Sequence, residues 1–369
     1  MSPWPEHDPA RIAQLPAPLD AWAAELLAAP PPNERHATCD RCAMCASPGG
    51  DAPPPQRVRF SPQVRCCTYR PQLVNHLLGR LLAVEPVATT LAERLADGEA
   101  TPLGLRVAPA YQLLYRHASA QSFGRAESLR CPHVRDDGRC DIWSARPAVC
   151  ATWFCKHERG ALGGRLWTSL RDCFVAAERA LALWCLGELG LGGTVQREAL
   201  AAWEQDRFDP DALDGRSDPE NVARLWGEWA GREVAFYRAC ADAVAGLGWA
   251  DVERIGGSEL ASLAARAREA SLAHEDLSLP AGLATGRFSV TGSHQGRVCL
   301  QTYSEFDPLE VSPDVLALVA RCDGGSPDEV AEAHAAAGGR RPDRRLLRTL
   351  VDFGVLQPAA PAASAGPAR

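Results

Sequence analysis

Cys39, Cys42 and Cys45 stand three apart in the stretch HATCDRCAMC. Two residues between thiolates let a tight turn aim both sulfurs at one ion while backbone N–H groups donate to the sulfurs. Three thiolates in succession are used in ferredoxin-type cluster binding, but they are one short of a closed tetrahedral shell. Adjacent Cys66 and Cys67 follow after the interval 46–65, and a second group reads C131-x8-C140-x9-C150-x4-C155. Ligands that are thiolates alone favour zinc or iron–sulfur over magnesium or calcium.

Cys39, Cys42, Cys45, Cys66, Cys67, Cys131, Cys140, Cys150 and Cys155 are nine thiols, more than one four-thiolate site needs. Two four-cysteine sites with one thiol over, or one site drawn from both groups, satisfy the count equally. Iron–sulfur is favoured over zinc because zinc sites are usually paired C-x2-C knuckles rather than a triplet. His133 and His157 flank Cys131 and Cys155 closely enough to serve as ligands or as donors to ligands. Arg146 is expected to help fold the site, lying over Trp143 or donating to a carbonyl or a sulfide. The other five cysteines are scattered. Cys173, Cys185 and Cys240 fall on apolar helix faces and read as small buried hydrophobes.

The segment CPHVRDDGRCDIWSARPAVCATWFC resembles the second half of the YkgJ-type cysteine-cluster family: Cys131, Cys140, Ile142, Trp143, Arg146, Pro147, Cys150 and Cys155 match its pattern. Cys39, Cys42 and Cys45 supply the opening of that family's CxxCxxCC half. Its closing pair arrives twenty residues later as Cys66–Cys67, across a proline-rich insertion. The likeness covers about 120 of the 369 residues. It implies a zinc- or iron-chelating domain. A related group, the flagellin lysine N-methylases, carries a comparable cysteine set and is thought to bind an iron–sulfur cluster, 4Fe-4S in type.

A length of 369 residues suits two or three domains. The net charge of −7 gives no basic field for nucleic acid or an anionic membrane. Residues 1–30 mix acidic side chains with prolines and do not read as a secretory signal. The apolar stretch near 166–186 carries Arg171, Asp172, Glu178 and Arg179, against a transmembrane helix. The expected compartment is cytoplasmic, where thiols stay reduced. Phosphate-loop, dinucleotide, HExxH, nucleophile-elbow and CxxxCxxC signatures are absent from the sequence.

The elements that must position these cysteines fall into five parts: a Pro/Ala-rich tail or linker over 1–35, the cysteine-cluster domain over 36–160, a helical domain over 161–278, a small module over 279–358 and a tail over 359–369. Within the cysteine region, helices are expected after Pro71, near Pro86 and over 109–119, and RDDGR predicts a turn. Pro147 is expected to open a short helix carrying Cys150. GALGG at 160–164 reads as a linker. Leu166, Trp167, Leu170, Cys173, Phe174, Ala177, Leu181, Trp184 and Cys185 form one helical stripe, and Val222 to Val244 a second. GRFSV and GRVCLQTY predict a hairpin, followed by helices near 311–321, 326–336 and 342–352. Ser326 and Glu329 make a capping box. The C-terminal module resembles the peptide-recognition winged helices of natural-product maturation systems, which implies a peptide or protein partner. Arg340, Arg341, Arg344, Arg345 and Arg348 read as a solvated basic face.

The fold expected is mainly α, with an irregular, metal-pinned cysteine-rich region and a small C-terminal α+β, winged-helix-like module. A structural or redox metal protein, an iron–sulfur-dependent lysine methyltransferase-like enzyme, and a zinc-binding structural or regulatory protein all suit such a chain. The apo form is expected to be locally unfolded around the cysteines.

Overall fold

A computed structural model describes residues 15–34, 42–45, 59–85, 87–95, 100–203 and 224–359. In chain order the first part holds helices α1 (Ala17–Leu27), α2 (Asn75–Leu81), α3 (Val87–Arg94), α4 (Pro109–Ser122), α5 (Ala148–Ala151), α6 (Gly160–Glu188), α7 (Thr194–Trp203), α8 (Glu233–Val244) and α9 (Trp249–Glu275). Short antiparallel strands β1 (Leu73–Val74), β2 (Ala100–Thr101) and β3 (Gly104–Leu105) lie beside α2 in the order β1-β3-β2. The chain is mainly helical with small sheets. No helix among the described residues is long and apolar enough to cross a membrane.

Helix α6 is the spine. Its expected stripe is buried from Leu166 through Cys185, except that Trp184 is half-buried at the edge. Helix α9 packs along α6, and α8 packs on α2. Cys173, Cys185 and Cys240 are fully buried in this core, as their helix faces predict. One buried cluster runs from Leu15 to Ala270 and crosses the boundary expected at 160. The segment expected as a tail contributes α1, whose Leu19, Trp22 and Leu26 are buried, with Trp22 Nε1 donating to the Leu247 carbonyl at 2.8 Å.

Three local expectations shift. The helix after Pro71 begins only at Asn75, because Leu73 and Val74 are taken by a strand whose partner is β3. Asn75 then donates to the Pro102 and Ala182 carbonyls at 3.0 and 2.9 Å, fastening α2 to both the small sheet and α6. GALGG is no linker but the first turn of α6, where Gly160, Gly163 and Gly164 are buried under neighbouring rings. The second stripe, whose Val222 lies outside the described residues, is interrupted: Gly227 and Gly231 take positive φ of 52° and 75°, so the helical turn at 224–226 ends there and α-helix resumes over Glu233–Val244.

Strands β4 (Leu283–Thr285), β5 (Ser289–His294), β6 (Arg297–Gln301), β7 (Leu309–Val311) and β8 (Leu356–Pro358) and helices α10 (Pro313–Val319), α11 (Pro327–Ala336) and α12 (Arg344–Asp352) make a small α+β module. Its meander runs β5-β6-β7, and β4 pairs with β8. The expected hairpin turns at Gln295–Gly296, both with positive φ, which matches the twist of two-residue hairpins. The Ser326–Glu329 capping box is present in both directions. The module has its own core of Leu283, Leu300, Val311, Leu318, Leu347, Leu350 and Val355. Part of the expected basic face is spent on ion pairs, Arg348 with Asp352 at 2.5 Å and Arg341 with Glu332 at 3.7 Å.

Helices α2 and α8 approach backbone to backbone at Gly79, where an added Cβ would lie 1.8 Å from the Tyr237 carbonyl oxygen and 2.9 Å from Ala241 Cβ. Gly79→Ala must force these helices apart. It is expected to destabilise the protein by roughly 1–3 kcal/mol, read as a lowered urea midpoint; an unchanged midpoint would show that the two helices are not held at this distance.

Candidate metal centre

Cys42 and Cys45 lie in one tight turn, with Cys45 N–H donating to the Cys42 carbonyl at 3.1 Å. Phe60 N–H donates to the Met44 carbonyl at 3.0 Å and brings that turn to the chain entering Cys66 and Cys67. Those two sit in consecutive turns over 62–68, and Cys67 offers its carbonyl to Cys131 N–H at 2.9 Å. This bond, together with Arg65 Nη1 donating to the Gly138 carbonyl at 3.0 Å, joins the first sequence group to the second. The RDDGR turn forms as expected, with Gly138 N–H on the Arg135 carbonyl at 2.9 Å, and it returns the chain so that Val134 bridges Cys140. Pro147 caps the short helix α5 rather than occupying its first turn, and Cys150 rides on that helix.

Cys42, Cys66, Cys67, Cys131, Cys140, Cys150 and Cys155 line one cavity of about 540 Å³. Their mutual fields divide them. Cys67, Cys131 and Cys140 all act on Cys150, whereas Cys155 and Cys45 answer to Cys42. Cys155, last of the second sequence group, thus feels Cys42 of the opening comb, and Cys67 acts on Cys131, Cys140 and Cys150. Cys39 lies outside the described residues. The thirteen described cysteines are free thiols. Among the described residues no three His, Cys, Asp or Glu side chains are gathered closely enough to hold a metal ion.

Burial pushes the Cys131 thiol up to about 11 and the Cys45 and Cys155 thiols up to about 12, and raises Cys140 and Cys150 further. Cys67 is lowered, first by a hydrogen bond from Cys66 and then by the nearby Arg65 and Arg146 guanidinium groups. Backbone N–H groups of His133 and Ile142 donate to the Cys131 and Cys140 sulfurs, each two residues ahead of its thiol, as in metal-thiolate knuckles. The donor set is soft and carries such N–H···S bonds, so its chemistry fits a zinc or iron–sulfur ligand field.

Neither flanking histidine is among the residues that line the cavity. His133 Nε2 lies 3.2 Å from Arg94 Nη1, and burial depresses its pKa to about 3. His157 Nδ1 lies 3.1 Å from the Tyr303 hydroxyl, whose own hydrogen goes to Asp307. Arg146 lies over the Trp143 ring with its guanidinium carbon 3.5 Å from the centroid.

Several residues here escape sequence reasoning. The β6–β7 loop of the C-terminal module reaches the cavity: Phe306 lines it, and Asp307 accepts from His157 N–H at 3.2 Å and pairs with Lys156 at 3.5 Å. Glu34, buried ahead of the comb, accepts from Glu158 N–H at 2.7 Å and Trp167 Nε1 at 2.8 Å. Glu178, projecting from α6, accepts from Ala148 N–H at 2.7 Å and so holds the N-terminus of the Cys150 helix. A carboxyl at 178 inside the 174–177–181 stripe was its only sequence signal.

Burial raises the Glu178 pKa from 4.5 to about 8, against the lowering effect of the Ala148 bond. The folded protein thus keeps a proton that the unfolded chain releases, so stability from this group is complete below about pH 4.5 and declines as pH rises through about 8. Glu178→Gln keeps an acceptor for Ala148 but has no proton to lose. Its melting temperature is expected to fall less between pH 5.5 and 8.5 than that of the parent; parallel melting curves would show that Glu178 is ionised in the fold.

No family model, no curated protein and no solved structure matches this chain.

Proposed function

We propose that the protein is a metal-binding cysteine-cluster protein, with an iron–sulfur cluster as the favoured group, zinc as the alternative, and a structural or redox role for either. The supporting observation is the convergence of seven cysteines, from segments far apart in sequence, on one cavity. Thiols that share a low-dielectric space repel one another once ionised, and a cation among them removes that penalty. The ion would draw the cysteines inward, pin the irregular turns over 59–68 and 123–159, and release protons as it binds. Arg146, with Arg65 beside it, would offset the negative charge of a thiolate-ligated cluster.

A second reading has one observation in its favour. The C-terminal module, a three-stranded meander followed by three helices and flanked by the β4–β8 pair, is compatible with a winged-helix-like peptide reader, and its Phe306 lines the cysteine cavity. A peptide held on that module would lie near the cluster, as an iron–sulfur-dependent peptide- or protein-modifying enzyme of lysine methyltransferase-like type requires.

Anaerobic purification with metal, sulfide and visible-absorption analysis tests the assignment. Broad visible absorption with iron and sulfide is expected; a colourless zinc protein would leave the cysteine reading but remove iron–sulfur, and a metal-free protein would overturn both. Cys140→Ser and Cys150→Ser are each expected to lower metal occupancy, and full occupancy in both would exclude them as ligands.

A further inference from the structure

Spacing alone lets the cysteines serve one ion or two, and the fold sorts them. Cys131 N–H donates to the Cys67 carbonyl at 2.9 Å. The chain after Cys131 then turns back on itself: Arg135 N–H donates to the Arg139 carbonyl and Asp141 N–H to the His133 carbonyl, both at 2.9 Å, which sets Cys140 beside Val134. Arg65 Nη1 holds the tip of this hairpin at the Gly138 carbonyl, 3.0 Å away. The turn that carries Cys67 and the hairpin that carries Cys131 and Cys140 are thus fastened at two points. Cys150 enters on α5, whose N-terminus Glu178 holds. Every pair among Cys67, Cys131, Cys140 and Cys150 stands in a mutual field. Arg146 acts on Cys67, Cys140 and Cys150.

Cys42, Cys45 and Cys155 form a second set. Cys42 and Cys45 share one turn and a thiol hydrogen bond, Cys155 acts on Cys45, and Cys42 acts on Cys155. The cation beside Cys155 is Lys156, anchored on Asp307 at 3.5 Å. Arg65 acts on Cys45 and on Cys67, and so stands between the sets. Cys66 has a different place: its thiol donates to Cys67, as a group that supports a ligand does. Among the described residues neither set is yet gathered closely enough to share an ion, so loading must draw each one inward. A soft ion in a closed shell takes four thiolates. Crowding both sets onto one ion would leave buried thiolates unligated beside a centre that is already negative.

We propose that the cysteines hold two separate metal centres: Cys67, Cys131, Cys140 and Cys150 ligate one as a closed four-thiolate shell, Cys42, Cys45 and Cys155 contribute to the other, and Cys66 donates to the Cys67 sulfur without being a ligand. The proposal rests on the cysteine reading and assigns its ligands.

The full chain is stripped of metal under anaerobic, reducing conditions and titrated with cobalt(II), whose thiolate charge-transfer and tetrahedral ligand-field absorption reports each sulfur shell. Iron, zinc and sulfide are counted on the same proteins as purified. The parent is expected to take up two equivalents of cobalt. Cys140→Ser and Cys150→Ser should each halve the uptake, Cys45→Ser and Cys155→Ser should each remove the other half, and Cys140→Ser combined with Cys155→Ser should abolish it. Cys66→Ser should keep both centres, because a serine hydroxyl still donates to Cys67, whereas Cys67→Ser should match Cys140→Ser. Two variants for each set, compared at parental circular dichroism, separate lost ligands from lost folding. A parent that binds one cobalt, lost in every variant, has a single shared centre and overturns this proposal alone, as does Cys66→Ser losing as much metal as Cys67→Ser. A parent that binds no cobalt and is purified without metal overturns the cysteine reading as well.

Discussion

Gathering many thiols around one enclosed space constrains everything near it. Burial and neighbouring thiols raise Cys45, Cys131, Cys140, Cys150 and Cys155, whereas Cys67 is lowered by the Cys66 hydrogen bond and by Arg65 and Arg146. That condition explains the local architecture. Chain segments with little regular structure are tied by single backbone bonds, Cys67 to Cys131 and Met44 to Phe60, and by side chains from more rigid elements. Helix α6 supplies the rigidity. It lends Glu178 to the Cys150 helix and Trp167 to Glu34, the last described residue before the comb.

Much of this was legible from local pattern. The stripe of α6, the RDDGR turn, the hairpin and the Ser326–Glu329 cap depend on residues a few positions apart, and spacing reports such features directly. The cysteine spacings are legible for the same reason, and seven of those nine residues line one cavity, with Cys45 not in its lining and Cys39 outside the described residues. Their grouping was not, because Cys155 joins Cys42 and Cys45 only through the path of the folded chain. The reach of the β6–β7 loop to His157 spans about 150 residues and leaves no periodic trace. The break at Gly227 and Gly231 was missed because the apolar register continues across it, and glycine's positive φ overrides register.

The two hydrophobic clusters set the internal mechanics. The helical cluster closes on itself from Leu15 to Ala270, and the C-terminal cluster closes within residues 283–356. Between them stand Arg159 on Asp352 at 2.6 Å, Lys156 on Asp307, the His157–Tyr303–Asp307 chain and the ring contacts of Phe306 with Phe60, Phe123 and Trp153.

Such a seam has a thermodynamic meaning. Parting it would uncover the ion pairs and the glycine face of α6, where Gly160 and Gly164 lie under Phe353 and Tyr303, while leaving the two buried clusters closed. Because Phe306 crosses that seam, part of the wall of the thiol chamber belongs to the C-terminal module. The chamber is thus walled by two bodies, and its shape depends on how closely they are docked as well as on either fold.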